Sequence, residues 1–287
     1  MRSRRIAPIA ILGLALAACS SVATPAPTAA PSVGQAATPT SSAAPPASVA
    51  GGSLTIYAAA SLKAALGKAK AAYEASYPGT TLTISTDSSA ALETKIEQGA
   101  PADVFLSADV TNPQKLVDAG LASDAVAPFA GNLLTVIVPK GNLAGVQTPK
   151  DLAKAGIKVV AAGDKVPITK YATQLVENLA KEAGYPADFV ALYHANVVSK
   201  EENVSGIVTK VGLGEGDAGI VYVTDAKGSD KVDAVGVPGA ANVPATYGGV
   251  VVKASPSQDA SAAFLQWLAG PEGQMVLAEF GFLPPAS

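Results

Sequence analysis

From residue 54 onward, short apolar runs alternate with amphipathic stretches, and this alternation constrains the chain more than any other feature in it. Runs at 54–59, 81–86, 103–107, 133–138, 158–162, 218–224, 232–237 and 248–252 read as strands. Helical periodicity fills the gaps at 62–76, 90–98, 113–119, 171–183, 204–213, 258–269 and 272–280. In the first helix Leu62, Ala65, Leu66, Ala69 and Tyr73 fall on one face. Pro78-Gly79, Gly99, Gly120 and Pro139 close units. Strand–helix–strand units in series build parallel sheets with helices on both faces, and two runs of them fit two lobes. In such sheets ligands sit at the carboxyl ends of strands, against helix N-termini.

Composition removes whole classes of chemistry. One His, His194, and one Cys, Cys19, in 287 residues exclude an intrachain disulfide and a Cys/His zinc site. All three arginines, Arg2, Arg4 and Arg5, precede residue 6, leaving 17 lysines against 23 acids, a net charge of −6. An acidic, arginine-free body is unsuited to nucleic acid. It also lacks the guanidinium fork that grips carboxylates and phosphates. Aromatics make up only 5%, so a core drawn from the 49% of apolar residues is mostly Ala, Val, Leu and Ile.

The N-terminus reads as an address and a tether. Arg2, Arg4 and Arg5 precede an apolar run at 6–17 that is too short to span a bilayer. Leu16-Ala17-Ala18-Cys19 resembles a bacterial lipoprotein cleavage box. That resemblance implies a signal peptide over residues 1–18 and a lipid on Cys19; the alternative is an ordinary signal peptide with Cys19 incidental. Residues 19–52 form an uncharged linker rich in Ala, Pro, Ser and Thr, expected to be disordered and partly extended.

The turns after strands carry the chemistry. Those at 58–62, 87–90, 163–171 and 198–206 each open a helix, so each offers backbone N–H groups without helical acceptors at the positive end of a helix dipole. Ser61 and Ser89 add hydroxyls. Neutral donors converging in this way can hold an oxyanion without arginine. Taken singly, Ser61 and Ser88 or Ser89 read equally as ordinary helix caps. Residues 214–219 match G-x-G-x-x-G but precede a strand, the wrong context for a dinucleotide, and read as a turn. His194 has no evident carboxylate or nucleophile partner and reads as structural or solvated.

YAAASL at 57–62, SSAALETKIEQGAPADVFLSAD at 88–109, GNLLTVIVPK at 131–140, VPITKYA at 166–172 and AGIVYVTDA at 218–226 resemble, in order, the molybdate-binding proteins of ABC importers. The resemblance runs from about residue 54 to 282, and GAPADVFLSAD is its most specific piece. It implies an α/β, two-lobed periplasmic-binding-protein fold of type II. Each lobe would be a mostly parallel sheet flanked by helices, with the ligand in the cleft between them. Lobe I would take residues 53–131 plus 245–287 and lobe II residues 132–244, hinged near Asn132 and Pro244. Carried over by position, Ser61 and Ser89 supply hydroxyls, Ile168 and Val204 supply backbone N–H groups, and Tyr222 supplies a third hydroxyl. Tyr222 enters through the resemblance alone, since a strand tyrosine otherwise reads as core.

The same resemblance implies no enzymatic activity, no cofactor and no direct cation ligand. The partners would be molybdate, also tungstate, and the membrane subunits of an ABC permease. The protein would be a monomer outside the cytoplasm, touching the membrane only through the lipid on Cys19. Two positions depart from the family pattern. Ile168-Thr169 replace an Ala-Gly pair, which stiffens the loop, moves its N–H groups, or lets Thr169 supply a hydroxyl. Asp87 stands beside the serine pair, where a carboxylate facing a dianion would repel it, so it is expected to cap the helix and point away. The rival readings are a receptor for sulfate or another tetrahedral anion, a secreted lipoprotein hydrolase using a capped serine, and a scaffold without a ligand. The lack of His, Cys or Arg at the helix-start turns argues against the hydrolase.

Overall fold

The computed structural model of the chain describes residues 52–285. The expected signal peptide at 1–18, Cys19, and the linker at 19–52 up to residue 51 lie outside the described residues, as do residues 286 and 287. Among the described residues no helix is long and apolar enough to cross a membrane.

The strands, in chain order, are β1 (Ser53–Ala59), β2 (Thr81–Asp87), β3 (Val104–Ser107), β4 (Ala127–Asn132), β5 (Leu134–Pro139), β6 (Val159–Ala162), β7 (Val197–Glu201), β8 (Ala218–Tyr222), β9 (Val232–Val235) and β10 (Ala245–Val251). They form two five-stranded sheets, ordered β2-β1-β3-β10-β4 and β7-β6-β8-β5-β9. The helices are α1 (Lys63–Ser76), α2 (Ser89–Glu97), α3 (Thr111–Asp118), α4 (Pro167–Leu179), α5 (Phe189–Ala195), α6 (Val204–Gly212), α7 (Val223–Lys227), α8 (Gln258–Ala269) and α9 (Pro271–Glu279).

Both sheets follow one plan. In the first, β10 is antiparallel to its neighbours β3 and β4, while β1 pairs in parallel with β2 and β3. In the second, β5 is antiparallel to β8 and β9, while β6 pairs in parallel with β7 and β8. Four strands of each sheet therefore point one way and one is reversed. The reversed strands are the two that arrive from the other sheet: β5 follows β4 across a single residue, Leu133, and β10 follows β9 after residues 236–244. Parallel neighbours need a crossover that carries the chain back, and these two arrivals have none.

The helices form where the apolar stripe demands. α1 buries Ala65, Leu66, Ala69 and Tyr73 on one face. Tyr73 meets Phe264 and Trp267 of α8 edge-on at ring-centroid distances of 5.0 and 5.2 Å. α8 packs on β10 and β4, and α9 on α1, so the C-terminal pair covers the first sheet. α6 packs on β5, β6 and β8. It lies that close because β8 carries Gly219, where a Cβ would come within 2.5 Å of Ile207 Cγ2 and 2.9 Å of the Val160 carbonyl.

Several boundaries differ from the sequence expectation. The helix expected at 171–183 is α4, which starts earlier because Pro167 pre-sets its first turn. The helix expected from 62 begins at Lys63, after a separate 3-10 turn over Ala60–Leu62. β4, β7 and α5 were not expected at all.

Candidate functional site

A helix or helical turn opens at the carboxyl end of five parallel strands. β1 runs into the Ala60–Leu62 turn, β2 into α2, β6 into α4, β7 into α6 through Asn203, and β8 directly into α7. These starts, drawn from both sheets, enclose one narrow cavity. Ser61, Ser89, Ile168, Val204 and Tyr222 all line it, together with Ser88 and Asn203, and none of the described residues lining it is charged. A larger hollow of about 360 Å³ lies on the second sheet, lined from α4, α5 and β7, but it lacks this convergence of helix starts.

The backbone donors follow from helix geometry. The first N–H groups of a helix have no acceptor within it. Val204 is the first residue of α6. Ile168 is the second of α4, and because Pro167 has no N–H, it carries that helix's first donor. Asn203 caps α6, its Oδ1 accepting the Gly206 N–H at 3.1 Å, which sets the turn that presents Val204.

Two of the three hydroxyls are engaged by neighbours behind the cavity. Ser89 Oγ accepts the Ala108 N–H at 3.0 Å. Ser61 Oγ lies 2.8 Å from Tyr247 Oη, which in turn accepts Asn132 Nδ2 at 3.3 Å. Tyr222 Oη is buried and has no partner among the described residues. Its ring meets Tyr247 at 5.6 Å and Tyr171 at 6.2 Å, both edge-on. Burial, with nearby Tyr247 and Tyr171, pushes the Tyr222 hydroxyl well above its usual range. Burial and then Asp225 do the same to Tyr247. Both therefore stay protonated donors at neutral pH.

Ser61 is not the helix cap that its position suggests: neither the 3-10 turn nor α1 receives a side-chain capping bond, and its hydroxyl is taken by Tyr247. Ser88 stands at the cap position of α2 without a capping bond. Asp87 does not cap α2 either. Its Oδ1 accepts its neighbour Ser88 N–H at 2.8 Å and Asn203 Nδ2 from the other sheet at 3.2 Å, and its Oδ2 pairs with Lys95 at 3.0 Å. It lines an outer groove with Lys95, Asp164 and Lys200, not the small cavity. Burial raises its carboxyl, but Lys95, the Ser88 N–H and Asn203 outweigh that and hold it below the usual range. Thr169 supplies no hydroxyl to the cavity, because Oγ1 donates to the Gly163 and Ala162 carbonyls at 2.8 and 3.2 Å.

Three contributors escaped sequence reasoning. Tyr247 and Asn132 carry no local signal, since a strand tyrosine beside Gly248-Gly249 and an asparagine at a strand end read as core and turn. Asn203 had one, an Asn directly before an expected helix. The segment GAPADVFLSAD proves to be a wall. Asp103 Oδ2 accepts the Thr55 N–H at 2.7 Å, Asp109 Oδ1 accepts the Asn112 N–H at 3.0 Å, and Ala108 holds Ser89.

A family model for bacterial extracellular solute-binding proteins matches residues 54–283. The "Molybdate-binding protein ModA" of Mycobacterium tuberculosis is 32% identical over 234 residues, covering 81% of this chain and 85% of that one. The "Putative ABC transporter substrate-binding lipoprotein YvgL" of Bacillus subtilis is 31% identical over 231 residues, covering 80% and 85%. Among solved structures, the "substrate binding domain of putative molybdenum ABC transporter" from Clostridium difficile superposes with a TM-score of 0.61 at 30% identity, covering 82% of this chain and 99% of that one.

Proposed function

The chain belongs to the bacterial extracellular solute-binding proteins, with molybdate-binding proteins among its relatives, and from that premise we propose that it captures molybdate and delivers it to an ABC permease. The family is one of solute-binding proteins and not of enzymes, and the two-lobed α/β fold is the family's own. The observation that carries the reading is the make-up of the cavity: neutral, lined by donors, with one buried hydroxyl, Tyr222 Oη, lacking an acceptor.

Molybdate is tetrahedral and fully deprotonated at neutral pH, so it only accepts hydrogen bonds. Ser61, Ser89 and Tyr222 would give it hydroxyl protons, and Ile168 and Val204 backbone N–H groups. Tungstate has the same charge and shape and belongs to the same reading. No cofactor takes part. We assign residues 53–131 plus 245–287 to one lobe and 132–244 to the other, with closure about the two crossings bringing the donors around the anion. The Leu16-Ala17-Ala18-Cys19 box, and the likeness to a relative named as a lipoprotein, support a lipid on Cys19 that ties a monomer to the outer face of a membrane.

Thermal melting of the purified protein against a panel of oxyanions tests the reading. A ligand at a thousandfold over its Kd adds about 4 kcal/mol of stability. Molybdate and tungstate should give the largest shifts. A larger shift with sulfate would favour the sulfate reading, and no shift with any anion would favour a scaffold. For the anchor, fatty-acid labelling should be lost in Cys19→Ser; label that persists refutes it.

A further inference from the structure

We propose that Tyr247, held by Asn132, fixes the Ser61 hydroxyl with its proton toward the bound anion, so that the cradle discriminates against oxyanions that carry a proton of their own. This rests on the oxyanion reading and adds a positioning residue outside the set that touches the anion.

The argument begins at Asn132, the last residue of β4, which is wholly buried. Its Oδ1 accepts the Leu133 N–H at 3.0 Å, so the amide can face only one way. The two protons on Nδ2 then go to Thr224 Oγ1 at 2.8 Å and Tyr247 Oη at 3.3 Å. Tyr247 Oη, already an acceptor, keeps its own proton. That ring is fully buried, and the acceptor in reach is Ser61 Oγ at 2.8 Å. If Ser61 donated instead, the phenol proton would be left unpaired in the core, a costly arrangement. The order is therefore Asn132 to Tyr247 to Ser61, each oxygen accepting from one neighbour and donating to the next, and bonds aligned in this way reinforce one another. The last proton in the chain, that of Ser61, is then free to point into the cavity that Ser61 lines.

Ser89 reaches the same state through a backbone donor, the Ala108 N–H. The two serines thus both present protons, their oxygens already accepting from a neighbour. A ligand oxygen bearing a proton that faces either serine meets a donor, and its own proton goes unpaired there. Of these arrangements the one at Ser61 hangs on side chains, so it can be undone without touching a ligand group.

The test is competition against molybdate by selenate and by hydrogen arsenate, on the full-length protein. The two are of similar size and shape, but only arsenate carries a proton at neutral pH. In the wild type selenate should compete better. Tyr247→Phe keeps the ring and its edge-on contacts with Phe129, Tyr222 and Phe282 while freeing Ser61 to turn. The selenate-to-arsenate preference should fall at least about fivefold, and molybdate should bind about fivefold more weakly. Both effects should vanish in a Ser61→Ala background, because Tyr247 acts through Ser61. Asn132→Asp provides a second variant. Its carboxylate accepts the Tyr247 proton, which reverses the chain, so the preference should fall there too, whereas added negative charge alone would weaken both dianions alike.

An unchanged preference with all anions weakened equally would make Tyr247 merely structural and overturn the proposal. So would an effect that persists without the Ser61 hydroxyl. A wild type that binds no molybdate would instead defeat the functional reading, which keeps the two failures apart.

Discussion

Tyr222→Phe separates two energies of opposite sign. Among the described residues the Tyr222 hydroxyl is buried without a partner, and a donor left so costs about 1–3 kcal/mol. Phe removes that cost and keeps the ring contacts with Tyr171 and Tyr247. The anion-free variant should therefore melt at the same temperature as the wild type or a few degrees higher, at roughly 2–4 °C per kcal/mol for a body of this size. Binding should move the other way. A hydrogen bond to a charged group contributes about 1.5–3 kcal/mol, so molybdate should bind roughly 10- to 150-fold more weakly. Titration calorimetry reads the affinity and scanning calorimetry the stability. Unchanged affinity would remove Tyr222 from the site. A marked drop in the melting temperature of the anion-free protein would mean that the hydroxyl has a partner there, and would refute the argument from its isolation.

Ser89→Ala should also weaken molybdate by about 1.5–3 kcal/mol, and it should lower stability too, because it strands the buried Ala108 N–H; calorimetry and melting read the two effects. Asp225 is pushed up to about 7 by burial, only partly offset by the Tyr222 N–H that it accepts at 3.1 Å. The folded protein therefore holds a proton that the unfolded chain releases near pH 4, and stability should fall as pH rises from about 4 to 7. Asp225→Asn, which can still accept that N–H, should flatten the slope in denaturant titrations at each pH. Asp87→Asn should change anion preference little, because Asp87 lines the outer groove; phosphate competition that is strong in the wild type and lost in the variant would overturn that. Gly219→Ala should cost about 1–3 kcal/mol by driving a Cβ into Ile207, and should weaken binding by displacing α6 and with it Val204.

What could be read from the chain alone was whatever repeats within a few residues. The apolar run of β1, the stripe of α1 and the serines and glycines that punctuate them are local patterns, so strand–helix units and their polar turns were legible, while Ile168 and Val204 were singled out as donors through the family resemblance. Elements with no local signature were not. β4 reads APFAGN, with a proline, a glycine and no alternation, and is a strand because β10 pairs beside it. β7 holds two apolar residues at a sheet edge, and α5 is seven residues long. Nor could local pattern show that β5 and β10 run against their neighbours, since that follows from the crossing between sheets.

The division is sharpest at the site. Serines at helix starts are legible along the chain, because a strand, a turn and a hydroxyl are neighbours there. Which way each hydroxyl faces was decided only in three dimensions. The atom that orients Ser61 lies 186 residues away, on Tyr247, and the amide that orients Tyr247 lies a further 115 residues off, on Asn132. A hydroxyl can donate or accept, and only the partners that folding brings to it settle which.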